Sequence, residues 1–124
     1  MILDDKKKVY KIDDRVFHCG TAVTFHFFGG KWKSVILWYL RHGVLRFSEI
    51  KKLIPDITDK MLSIQLSALE SDQLVKRKTH GTKPPYRVEY ALTDVGRSLI
   101  PVIEAITKWG IDYAERNGEL VTLD

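Results

Sequence analysis

Hydrophobic positions along this chain fall into helical and alternating spacings that succeed one another in a definite order. Trp32, Val35, Ile36, Tyr39 and Leu40 recur at i, i+3, i+4, i+7 and i+8, the stripe of an amphipathic helix, and Gly43 stands where a left-handed cap would stop it. Upstream, Thr21 to Phe28 carries Val23, Phe25, Phe27 and Phe28 and ends at Gly29-Gly30. It reads as a short helix, with the Phe25/Phe27 alternation leaving a strand open. Ser48 is placed to cap a third helix in which Ile50, Leu53 and Ile54 face inward, and Pro55 ends that helix. Asp56 to Thr58 then make a tight turn, with Thr58 as the next N-cap.

The helix from Thr58 to Asp72 buries Leu62, Leu66 and Leu69, at i, i+4 and i+7, and turns Lys60, Ser63, Ile64, Ser67 and Ser71 outward. That outer face is small, polar and weakly charged, as a surface entering a DNA groove should be, although an ordinary surface helix has the same pattern. Alternation then takes over. Val88, Tyr90 and Leu92 interleave with Arg87, Glu89 and Ala91, a half-buried strand, and Val75 to Thr79 is its expected partner. The connection His80 to Tyr86 holds Pro84 and Pro85 and must be an exposed loop.

From Thr93 to Asn117 a single long helix is expected, capped by Thr93 and kinked at Pro101. Val95, Leu99, Val102, Ile106, Trp109 and Tyr113 form a heptad-like seam along it, with Ile100, Ile103 and Ile111 flanking. A stripe this long exceeds what a domain of this size can cover, so it is expected to pack against a second copy. Residues 1–17 mix charges of both signs with few large apolar side chains and read as a flexible arm; residues 18–117 form the domain and 118–124 a tail. The fold class is therefore mainly α with a small antiparallel β-hairpin: a winged helix-turn-helix with a terminal dimerisation helix over 93–117.

Charge sharpens this picture. The 124 residues carry a formal net charge of +4, and between Leu74 and Ala91 five basic residues (Lys76, Arg77, Lys78, Lys83, Arg87) face one acid, Glu89. The hairpin thus holds an excess equal to that of the whole chain, the distribution expected of a wing lying on phosphates. The longest apolar run, Val35 to Leu40, is too short to cross a bilayer, and no secretory signal is visible. One cysteine allows no internal disulfide and suits a reducing cytoplasm. His18, His26, His42 and His80 lack metal-ligand spacing, so neither metal nor cofactor is expected. No phosphate loop, nucleophile elbow or paired carboxylates suggest an enzyme.

With these residues in view, the chain resembles the HxlR family of bacterial winged-helix regulators, relatives of the MarR group. The resemblance rests on Gly29-Gly30-Lys31-Trp32, Arg46-Phe47-Ser48-Glu49-Ile50, the run Ile57 to Leu62, Gln65-Leu66 and Leu69-Glu70. It continues through Pro85 to Thr93, Gly96-Arg97-Ser98-Leu99, Pro101-Val102 and Trp109, and covers about Cys19 to Trp109 in order. It implies a homodimeric transcriptional regulator, typically a repressor, held together by its terminal helices and binding double-stranded DNA. The chain departs from the family's usual Cys-Pro in having Cys19-Gly20. It also carries the aromatics of Thr21 to Phe28 where charged residues are common. Those aromatics fit either a larger dimer core or an apolar ligand pocket.

The expected DNA contacts are Thr58, Asp59, Lys60, Ser63, Ile64 and Ser67 on the recognition helix and Lys78, Lys83 and Arg87 on the wing, 76–88. Lys60 leads for guanine or phosphate, and Ile64 suits a thymine methyl. Asp59 either caps the helix or selects a cytosine amino group; Arg87 meets phosphate or pairs with Glu89. Cys19 is the candidate sensor for an oxidant or another small-molecule effector, as in some members of the family it resembles. A lowered pKa from His18 and Lys31 would make it reactive, whereas a lone cysteine is also a common small buried hydrophobe. Alternatives to DNA binding are a winged-helix protein-interaction module and a small-ligand-binding domain using Phe25, Phe27, Phe28 and Trp32.

Overall fold

The computed structural model describes residues 8–123. It begins with a hairpin, β1 (Tyr10–Ile12) paired antiparallel with β2 (Arg15–Phe17), where the sequence suggested a flexible arm. Two short alternating runs make the pairing possible, and Asp13, at φ 55°, takes the left-handed turn that an Asx residue tolerates. The hairpin is fastened to α1 (Gly20–Phe28): Phe17 meets His26 edge-on at 5.4 Å, and the Arg15 guanidinium hydrogen-bonds the same imidazole. The helical reading of this segment holds.

Helix α2 (Lys33–Leu40) buries Ile36 and Leu40 of the predicted stripe together with Leu37, which the stripe omitted, while Trp32, Val35 and Tyr39 are half-buried against the core; Gly43 at φ 148° turns the chain away from it. A two-residue strand, β3 (Leu45–Arg46), then pairs with β5 (Arg87–Leu92). This strand changes the start of α3 (Phe47–Leu53). Arg46 is held extended opposite Glu89 and its N–H donates to the Glu49 carboxylate at 2.8 Å, so Arg46, rather than Ser48, is the N-cap residue. Ile50 and Ile54 point inward as expected; Leu53, on the last turn, is exposed.

Helix α4 (Asp59–Ser71) leads through a turn at Gln73, φ 62°, into β4 (Val75–His80). The sheet is three-stranded and antiparallel, with β5 in the middle of β3 and β4. Its inner face carries Val75, Tyr90 and Leu92, which join Leu62, Leu66, Leu69 and the α2 leucines in one core.

The terminal segment is two helices, α5 (Asp94–Ser98) and α6 (Ile100–Asn117), joined at Leu99. Pro101 therefore lies in the first turn of α6, where its missing N–H has no helical acceptor to lose, and it does not kink a helix interior. Thr93 caps α5 as expected, accepting the Gly96 N–H at 3.0 Å. Ile100 and Ile103 are the residues that anchor α6 to the core. Leu99 is half-buried against that same core, and Val95 stands exposed on the separate helix α5. The six-residue seam is thus broken by the joint at Leu99. On α6 itself Val102, Ile106, Trp109 and Tyr113 remain exposed on one side, about a third of a turn from the anchoring isoleucines.

Gly96 is buried where α5 crosses the start of the wing, and a Cβ there would fall on the Leu74 carbonyl. Gly96→Ala should cost ~1–3 kcal/mol, read as a lower urea midpoint at unchanged slope. A variant as stable as the parent would contradict this packing.

Candidate nucleic-acid interface

Helix α4 owes its placement to both ends and one side. Thr58 caps it, its hydroxyl accepting the Met61 N–H at 3.0 Å. Leu62, Leu66 and Leu69 are at most 1% exposed and fix its rotation. Consequently Thr58, Asp59, Lys60, Ser63, Ile64 and Ser67 are all exposed, as the sequence predicted, with Ile64 49% accessible. The capping role falls to Thr58. Asp59 occupies the first turn, where its carboxylate complements the helix dipole.

The wing presents its charges on two faces, because side chains alternate along a strand. Register places Lys76, Lys78 and His80 of β4 opposite Ala91, Glu89 and Arg87 of β5. These share the outer face. Val75, Arg77 and Thr79 stand opposite Leu92, Tyr90 and Val88 on the face that turns to the core and α4. Arg87 is partnered: its Nε lies 3.1 Å from the Glu89 carboxylate, whose other oxygen is 3.4 Å from His80 Nε2. The ion-pair alternative for Arg87 is therefore the arrangement found. Lys83 is exposed in the loop between the strands.

Arg77 was absent from the sequence-based set, yet it lines a polar crevice with Ser63, Ser67 and Glu70 of α4. Counting by two from the buried Val75 carries the signal that would have found it.

Cys19 is exposed rather than buried, in extended backbone at the N-cap of α1. It shares a cleft with His18, Lys8 and Tyr10, while the Lys31 ammonium sits 4.6 Å over the Trp32 ring. Of the aromatic cluster, Phe28 is core, Phe27 and Trp32 pack against it, and Phe25 stands exposed, 5.5 Å from Phe28. Among the described residues, no group of three His, Cys, Asp or Glu side chains could hold a metal ion, and no helix is long and apolar enough to cross a membrane.

A helix-turn-helix (α3 and α4) backed by a three-stranded sheet and a basic hairpin defines a winged helix-turn-helix protein. The HxlR-like helix-turn-helix family model matches residues 27–118, and the chain belongs to that family of transcriptional regulators. It is 46% identical over 100 residues to the uncharacterized HTH-type transcriptional regulator YkvN of Bacillus subtilis (strain 168), covering 81% of this chain and 84% of YkvN. An uncharacterized HTH-type transcriptional regulator of Methanothermobacter thermautotrophicus is 45% identical over 109 residues, covering 86% of this chain and 82% of the relative. Among solved structures, the redox regulator HypR in its reduced form superposes with a TM-score of 0.73 at 35% identity, covering 80% of this chain and 95% of HypR. The reduced form of the transcriptional regulator YodB from B. subtilis gives 0.66 at 32% identity, covering 80% and 97%.

Proposed function

We propose that the protein is a homodimeric, sequence-specific DNA-binding repressor that works in the cytoplasm, with α4 in the major groove and the wing on the backbone or in the adjoining minor groove. The observation that carries this reading is the capped, core-anchored helix α4, whose small polar face stands exposed beside a basic hairpin. Lys60 reaches guanine acceptors or phosphate, Ile64 meets a thymine methyl, and Ser63 and Ser67 bring hydroxyls to base edges or phosphates. Lys83 and Lys78 add phosphate attraction from the wing.

Two copies meet along Val102, Ile106, Trp109 and Tyr113 of α6. Trp109 is 68% exposed and stacked on Tyr113 at 5.3 Å, a flat apolar surface costly to leave in water. A two-fold axis here would set the recognition helices about one DNA turn apart, ~34 Å, and call for a palindromic operator.

The effector is an electrophile or oxidant acting on Cys19. Solved relatives include HypR in an oxidized form and quinone-bound YodB. A lone thiol suits addition of an electrophile, which needs only one sulfur, better than an internal disulfide, which needs two. Helix α1 packs on α2, and α2 contacts both α4 and α6, so an adduct at the head of α1 has a packed route to groove and dimer.

Three experiments test this reading. In fluorescence anisotropy with DNA from upstream of its own reading frame, Lys60→Ala should cost ~1–3 kcal/mol for that duplex and little for a scrambled one. Lys83→Ala should weaken both and flatten the salt slope by about one unit; equal, salt-insensitive binding of all variants would refute the reading. Sedimentation should show a dimer that Ile106→Glu converts to monomer with its far-ultraviolet spectrum intact, whereas a monomeric parent would remove the interface. Benzoquinone should label Cys19 in the folded protein and weaken the upstream-DNA complex. Full labelling with unchanged affinity would exclude the sensor.

A further inference from the structure

The wing's charges are not equivalent, and the difference points to a residue that the groove-reading set leaves out. We propose that Arg77, flanked by the Ser63 and Ser67 hydroxyls, forms a phosphate-holding notch between the recognition helix and the wing. The proposal deepens the DNA-binding reading and rests on it.

The register is the first support. Arg77 stands opposite Tyr90, two residues from the buried Val75, and so projects from the sheet face that packs toward α4. Lys76 and Lys78 project from the other face. The second support is the crevice itself, about 250 Å³ and predominantly polar, bounded on one side by Ser63, Ser67 and Glu70 and on the other by Arg77 and Tyr90. The third is electrostatic. Arg87 is held by Glu89, whereas Arg77 makes no ion pair among the described residues, not even with Glu70 in the same crevice. Of the two wing arginines, the one that lines the crevice beside the recognition helix is therefore the one without an ion pair among the described residues.

With the outer face of α4 in the major groove, the DNA strand bordering that groove passes from helix to hairpin across this crevice. A phosphate there would meet a guanidinium fork from the wing and two hydroxyl donors from the helix, the geometry for which arginine is better suited than lysine. One phosphate held by both elements fixes how deeply α4 sits, a positioning role independent of base sequence. Glu70 opposes the anion from the helix side, which limits the strength of the notch.

The test is anisotropy with a fluorescein-labelled mixed-sequence duplex two to three turns long, over a salt series, with melting temperatures as a check on folding. Arg77→Gln should weaken binding roughly tenfold and lower the salt slope by about one unit. Arg77→Lys should restore the slope but only part of the affinity, and Glu70→Gln should tighten binding. Lys76→Gln, which removes the same charge from the outer face, should have a smaller effect. If Arg77→Gln destabilises the fold, the Arg77→Lys and Glu70→Gln results decide. Arg77 variants with parental affinity and slope, or a Lys76→Gln loss equal to that of Arg77→Gln, would overturn the notch while leaving DNA binding intact. A parent that binds no duplex at any salt concentration would defeat the DNA reading and the notch with it.

Discussion

The arrangement of the whole molecule depends on a few backbone groups around Leu74. The Leu74 N–H closes the end of α4 on the Leu69 carbonyl at 2.9 Å, and the Leu74 carbonyl accepts the Thr93 N–H at 3.1 Å. Thr93 works in both directions, its hydroxyl donating to the Gln73 carbonyl at 2.6 Å while accepting the Gly96 N–H. Gly96 lets α5 lie directly on this junction. Recognition helix, wing and terminal helix thus leave one small knot of peptide groups. Because each is also packed into a common core, a shift at one is felt by the others. The joint thus couples the exposed face of α4 rigidly to the exposed apolar side of α6.

Charge is distributed around that joint in a way net charge conceals. The single acid of the wing, Glu89, sits on the central strand opposite both Lys78 and Arg46, and it engages Arg87 and His80. The outer face of the wing is thereby partly neutralised, while the face toward α4 keeps Arg77, which has no ion pair among the described residues. Surface ion pairs of this kind add little to stability. Their larger effect here is to decide which cations of the wing are held by a carboxylate.

The parts of this fold legible in the sequence are those whose packing repeats over several turns. The leucine triplet of α4, the α2 stripe and the alternation of β5 each bury one face, so spacing alone reveals them. What spacing could not show depends on partners distant in the chain. β3 is two residues long and exists only because β5 offers a free edge. The hairpin over 10–17 is too short for periodicity to separate from a charged arm, and it is held by Phe17 and Arg15 against His26. Pro101 looked like a kink because the break at Leu99, with Thr93 and Gly96 folding back on Leu74, comes from tertiary packing. The site divided along similar lines. The exposed face of α4 followed from its buried leucines, but choosing among Arg77, Lys78 and Arg87 required the strand register and the position of Glu89.

The central claim is that DNA meets this protein through the outer face of α4 and the wing. Titrating a short duplex into the isotope-labelled protein while following backbone amide NMR signals tests it most directly. The account predicts that the largest shifts fall between Thr58 and Ser67 and along β4 to the wing loop, with β1, β2 and α1 little changed. Shifts concentrated on the N-terminal hairpin and α1, with α4 and the wing unmoved, would contradict it.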